Sequence, residues 1–145
     1  MGNQYCYAYP RPALTVDLVI LQANSTPNHI LLVERKHPPF AGTWALPGGF
    51  VNESEPLQQA AQRELTEETG LAIEVLHQIG TFGQPGRDPR GWTVSVAFMG
   101  FCEAQLLPHA GDDAADARWW PIWQLPQLAF DHADIIQKAL EHLVK

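Results

Sequence analysis

The sequence predicts an α/β or α+β fold, a mixed β-sheet with helices packed on it as a three-layer sandwich. Apolar runs rich in β-branched and aromatic residues recur along the chain, as in LTVDLVILQ, HILLVER and WTVSVAFMGFCEA. Between and after these runs, two stretches return apolar residues at helical spacing, over residues 56–69 and 131–145. The chain has 145 residues, 46% hydrophobic and 17% charged. That suits one core burying about 70% of the unfolded chain's surface, and a single domain over residues 1–145 is expected.

In chain order, residues 14–22 read as a first strand, NSTPN as a turn, and residues 29–35 as a second strand. WALPGGFV, residues 44–51, is a third short extended stretch that ends in glycines. Residues 52–55 are turn and helix-start material, and Pro56 suits the first turn of a helix. That helix places Leu57, Ala60, Ala61 and Leu65 on one face, and Gly70 can take the left-handed conformation that stops it. LAIEVLHQIGTF and WTVSVAFMGFCEA read as two long strands joined by the turn-rich GQPGRDPRG. ARWWPIWQLP, from Ala117, reads as a short strand running into a turn. The closing helix sets Ile135, Ile136, Ala139, Leu140 and Leu143 on one face, with Asp131 as its N-cap.

Charge narrows the partners. Nine Lys and Arg stand against 16 Asp and Glu, a formal net charge of -7, which disfavours a nucleic-acid backbone or an anionic membrane. An acidic protein can still bind a phosphorylated small molecule where metal ions supply positive charge. Cys6 and Cys102 lack metal-ligand spacing and read as ordinary thiols. No run approaches the roughly 18 apolar residues of a membrane span, and the N-terminal residues show no secretory pattern. A cytoplasmic protein is expected, and a homodimer is left open.

The segment RELTEETG puts Glu64, Glu67 and Glu68 near the C-terminal end of the first helix. Carboxylates there face the negative pole of the helix dipole, at roughly 0.3–1 kcal/mol each. Glu64 and Glu68, four apart, share a face, and Glu67 lies beside them. Such a group suits a hard cation with oxygen ligands, Mg²⁺ or Mn²⁺. A solvated acidic helix end is the alternative.

The flanking residues change that balance. Gly49, Glu55, Arg63, Glu64, Leu65, Glu67, Glu68, Gly70 and Leu71 match, at fixed spacing over residues 49–71, the pattern of the Nudix box. The sequence resembles the Nudix hydrolases, which fold as an α/β/α sandwich and cleave nucleoside diphosphates linked to another moiety. The resemblance implies Glu64 and Glu68 as principal metal ligands, Glu67 as a further ligand, and a carbonyl near Gly48 or Gly49 completing the sphere. It implies that Arg63 and Glu55 hold the loop against the helix and orient the catalytic glutamates.

TFGQPGRDPRGWTVSVAF and AFDH resemble bacterial ADP-ribose pyrophosphatases and the Nudix domains of NAD-linked transcription regulators. An isolated enzyme is the expectation, splitting ADP-ribose into AMP and ribose 5-phosphate by metal-assisted attack of water. The alternatives are a pyrophosphohydrolase of a nucleoside triphosphate, dinucleotide or sugar nucleotide, and a noncatalytic ADP-ribose sensor. Arg35, Arg87, Asp88 and Arg90 are candidate substrate contacts, with the loop at residues 86–92 meeting a diphosphate and a ribose together. Trp44 and Phe82 are candidates for base stacking, though core positions fit them as well. Asp112, Asp113 and Asp116 are candidates for a general base, Asp113 foremost.

Overall fold

The computed structural model describes residues 4–103, 107–111 and 113–144. Ten elements follow in chain order: β1 (Ala13–Gln22), β2 (His29–Arg35), β3 (Trp44–Ala45), β4 (Gly48–Phe50), α1 (Leu57–Thr69), β5 (His77–Phe82), β6 (Thr93–Cys102), β7 (Ala114–Pro121), a 3₁₀ turn (Ile122–Gln124) and α2 (His132–Leu143). The seven strands form one mixed sheet.

β1 is its axis. It runs parallel to β6 over its whole length, from Ala13 opposite Thr93 to Gln22 opposite Cys102. Its other edge is shared: β4 pairs antiparallel with Thr15, Val16 and Asp17, and β2 meets it at Leu21. The sheet therefore forks, because β4 and β2 leave the same edge of β1 at different heights. β2 also pairs antiparallel with β7 and β3, and β5 closes the far side against β6 with a bulge between Gln78 and Gly80.

Both faces of β1 are covered, which is why LTVDLVILQ reads as an almost continuous apolar run. Val16, Leu18 and Ile20 pack with Ala60, Ala61 and Leu65 of α1. Val19 and Leu21 pack with Ile135, Ile136 and Ala139 of α2 on the opposite face. The expected sandwich of helix, mixed sheet and helix is present.

Several boundaries differ from the expectation. The third extended stretch is two strands, β3 and β4, separated by Leu46 and Pro47. Residues 71–76 are irregular, because α1 takes their carbonyls: Thr66 Oγ1 donates to Leu71 O at 3.0 Å and Gln62 Nε2 to Glu74 O at 3.3 Å. Leu71 and Leu76 still enter the α1 core. β7 begins three residues before Ala117, through Ala and Asp residues of low strand propensity. Pro56 occupies the N-cap position of α1. Asp131 occupies that position in α2 but makes no side-chain cap, because its carboxylate is committed to Arg87.

α1 ends at Gly70, φ 74°. Two of its last carbonyls are claimed from the segment before β7: His109 N donates to Thr69 O at 2.7 Å and Gly111 N to Glu68 O at 3.1 Å. This satisfies helix-end groups that an acidic last turn would otherwise leave facing its own carboxylates.

Candidate active site

A cleft of about 680 Å³ opens where the sheet forks. One wall is β4 with the acidic end of α1, presenting Gly48, Gly49, Glu64, Glu67 and Glu68. The other carries Arg35, Arg90 and Phe130. Asp17, Arg87 and His132 also line it.

The acidic wall is built by close packing of backbone on carboxylate. A Cβ on Gly49 would sit 2.6 Å from the Glu64 carboxylate carbon, and one on Gly48 would sit 2.1 Å from Val16 O. Glycine at position 48 lets β4 lie against the β1 backbone, and glycine at position 49 leaves room for the Glu64 carboxylate beside β4. Glu68 Oε1 accepts a hydrogen bond from Gly48 N at 2.7 Å. Burial pushes the Glu68 carboxyl up to about 8 against that bond, with Glu64 and Asp17 adding repulsion. Burial also pushes Glu64 up, opposed by Arg63.

Arg63 organises the group. Its Nε and Nη2 form a fork on Glu55 at 2.7 and 2.9 Å, and Nη1 donates to Glu64 at 2.8 Å and Glu67 at 3.1 Å. Nη2 also donates to Phe50 O at 3.1 Å. Its hydrogen bond, with one from Asn52 N, lowers the Glu55 carboxyl to about 2. The three glutamates thus do not meet at one point in this arrangement. Glu64 and Glu67 turn to Arg63 and Glu68 to Gly48, and among the described residues no ready-made group of three metal-binding side chains is assembled. The donor set nonetheless fits a hard divalent cation. Two half-buried carboxylates with raised proton affinity face a glycine strand whose backbone can approach, all with oxygen donors.

The floor is a polar network within the sheet. Ser95 Oγ donates to Asp17 Oδ2 at 2.5 Å. His132 Nδ1 accepts from Leu46 N at 3.0 Å, and its Nε2 lies 3.4 Å from Asp17 Oδ1. Burial lowers the His132 pKa and keeps the ring neutral near pH 7. Arg87 forms a two-bond fork on Asp131, at 2.7 and 2.9 Å, with a side chain only 4% exposed. Arg87 therefore ties the loop at residues 86–92 to the start of α2 while also lining the cleft.

Asp88 is likewise buried and pairs with Arg90 at 2.8 Å. Burial pushes its carboxyl up, but hydrogen bonds from Arg90 overcome this and hold it low. Arg87, Asp88 and Arg90 all line the cleft, and Arg90 is the one of the three with an exposed side chain. Arg35 Nε donates to Pro39 O at 2.7 Å, and burial together with the neighbouring Arg90 lowers its pKa.

Other candidates separate. Trp44 is 8% exposed and stacks edge-on against Trp120, while Phe82 packs in the same α2-side core. Neither lines the cleft, since strand alternation turns both toward α2. Asp113 lines it. Asp116 lies within β7, paired with Arg118 at 2.7 Å, and Asp112 falls outside the described residues. Sequence reasoning gave no role to Asp17, Phe50, Phe130 or His132. A lone aspartate inside LTVDLVILQ was the one local signal available for the first of these.

Residues 11–141 match the family model described as NUDIX domain. An ADP-ribose pyrophosphatase of Methanocaldococcus jannaschii is 44% identical over 129 residues, covering 89% of this chain and 73% of the relative. The ADPR responsive transcriptional repressor NtrR of Acinetobacter baylyi is 35% identical over 139 residues, and the match spans 56% of its length and 93% of this chain. Among solved structures, the NUDIX domain of Shewanella oneidensis NrtR complexed with ADP ribose superposes with a TM-score of 0.84 at 38% identity, covering 94% of this chain and 91% of that one. With its box residues gathered on one wall of the cleft and a family model matched along nearly its whole length, this chain belongs to the NUDIX family.

Proposed function

We propose that this protein is a pyrophosphohydrolase that splits ADP-ribose into AMP and ribose 5-phosphate with the help of a divalent cation, Mg²⁺ or in its place Mn²⁺. The carrying observation is the pairing, within one cleft, of the half-buried carboxylates of Glu64 and Glu68 with the guanidinium groups of Arg35 and Arg90. The pyrophosphatase relative and the ADP-ribose complex of the NrtR domain support the choice of substrate.

Glu64 and Glu68 would hold the cation, with Glu67 and the backbone at Gly48 and Gly49 as further oxygen donors. Once bound, it would supply charge neutralisation at the diphosphate and a lowered pKa for the attacking water. Arg63 fixes the two glutamates relative to β4 through Glu55 and Phe50 O. Arg35 and Arg90 attract the diphosphate and hold it for in-line attack. Water adds to one phosphorus, the bond to the bridging oxygen breaks, and Asp113 is our candidate to take the proton. The partner is a small nucleotide. Among the described residues no helix is long and apolar enough to cross a membrane.

The kinship with NtrR favours one second reading, an ADP-ribose sensor without turnover. Incubation of ADP-ribose with Mg²⁺ in ¹⁸O-water, followed by phosphorus-31 NMR, decides between them. AMP and ribose 5-phosphate with label on one phosphate are expected. Tight ADP-ribose binding with no cleavage would establish the sensor.

A further inference from the structure

Across the mouth of the cleft, Phe50 of β4 and Phe130 of the opposite wall surround the two arginines, and the hydrolytic reading gives neither ring a role. The guanidinium carbon of Arg90 lies 5.0 Å from the centre of the Phe50 ring and 5.2 Å from that of Phe130, and Arg35 lies 4.9 Å from Phe130. Phe40 meets Phe130 edge-on at 4.9 Å, and His132 tilts against it at 5.3 Å. Phe130 is thus enclosed. Phe50 is not: it lines the cleft, is 45% exposed, and has Arg90 over its ring.

Two further facts mark this end as built for a ligand. Phe40 and Phe130, which touch, both carry positive φ, 62° and 51°, a backbone conformation that bulky residues rarely adopt and that gathers at binding sites. Two like charges also converge on one ring, as the Arg35 and Arg90 guanidinium groups both lie about 5 Å from the centre of Phe130, a crowding that an anionic, π-rich group would relieve.

The two ends of ADP-ribose differ in the chemistry they need. A terminal ribose is a polyol that asks for hydrogen-bond partners, whereas a purine offers two flat faces to a phenyl ring or a guanidinium plane. We propose that Phe50 and Arg90 form the nucleobase platform of the cleft, a purine stacking on the open part of the Phe50 ring, with Phe130 as the positioning residue that sets Arg35 and Arg90. This places Arg90 where the diphosphate it attracts meets the base-bearing half of the substrate, rather than at the terminal ribose. The platform is indexed to the chemistry, because Arg63 binds Phe50 O and Glu64 with the same guanidinium. The inference rests on the reading of the substrate as a nucleoside diphosphate derivative.

The test uses AMP and ribose 5-phosphate as separate probes of the two halves. Calorimetry with Mg²⁺ measures AMP binding to the wild type, Phe50→Leu and Phe50→Trp, and inhibition assays compare the two products. Loss of one stacking ring corresponds to roughly 5- to 140-fold in affinity. Phe50→Leu is expected to weaken AMP by that factor and leave ribose 5-phosphate unchanged, with Phe50→Trp restoring AMP. Equal weakening of both products, unchanged AMP binding in Phe50→Leu, or no AMP binding to the wild type would overturn the platform. An AMP-binding wild type that leaves ADP-ribose uncleaved would instead overturn only the assigned reaction.

Discussion

At Gly49 the lack of a Cβ sets how closely the Glu64 carboxylate can lie against β4. A Cβ there would stand 2.6 Å from the Glu64 carboxylate, so Gly49→Ala must displace either β4 or Glu64. A displacement of about 1 Å at a catalytic group can cost about 10²-fold in rate. We expect a loss of that order in turnover at saturating Mg²⁺, with the circular-dichroism spectrum of the folded protein retained. Glu64→Gln and Glu68→Gln should each remove most turnover and keep the fold, and either variant turning over like wild type would remove that residue from the ligand set. These positions were legible as candidates because glycine, arginine and glutamate stand at fixed local spacing within residues 49–71. Asp17 was less legible, since its partners Ser95 and His132 lie 78 and 115 positions away along the chain and only folding brings them to it.

Among elements, the loop at residues 86–92 owes its place to one buried ion pair. Arg87→Met leaves Asp131 with its principal partner gone, and breaking such a pair typically costs about 3–5 kcal/mol. Urea unfolding should show a loss in the lower part of that range, because the Asp131 side chain is 18% exposed. The double variant Arg87→Met, Asp131→Leu should be more stable than the sum of the single losses, since neither buried charge is then stranded. An additive double variant would mean that the pair does not act as a unit. The strands and helices themselves were readable from period and composition. Residues 71–76 were not, because their strand-like pattern serves core contacts while the side chains of α1 intercept their carbonyls.

For the whole molecule, Glu68 and His132 give the metal-free protein opposite responses to pH. The Glu68 carboxyl is at about 8 in the fold against an ordinary 4.5, so the folded state holds the extra proton between those values. Stability from this group is full below pH 4.5 and is lost as pH rises through 8. His132, lowered by burial, acts the other way: its contribution is present above its ordinary value of about 6.5 and is lost as pH falls. In EDTA at pH 8.5, Glu68→Gln should therefore raise stability by at least about 1 kcal/mol, or roughly 2–4 °C in Tm. The same variant should melt close to wild type at pH 4.5. A rise of equal size at both pH values would assign the effect to packing instead of charge.

The fork in the sheet also has an evolutionary meaning. β4 and α1 carry the carboxylates on one wall, while β2, the loop at residues 86–92 and the turn before α2 carry Arg35, Arg90 and Phe130 on the other. The two walls join through β1, and Arg90 of one lies over the Phe50 ring of the other. Mutations on the arginine wall can accumulate without moving the glutamates, so a lineage built on this sheet can drift from one nucleotide to another while its bond-breaking chemistry is inherited unchanged.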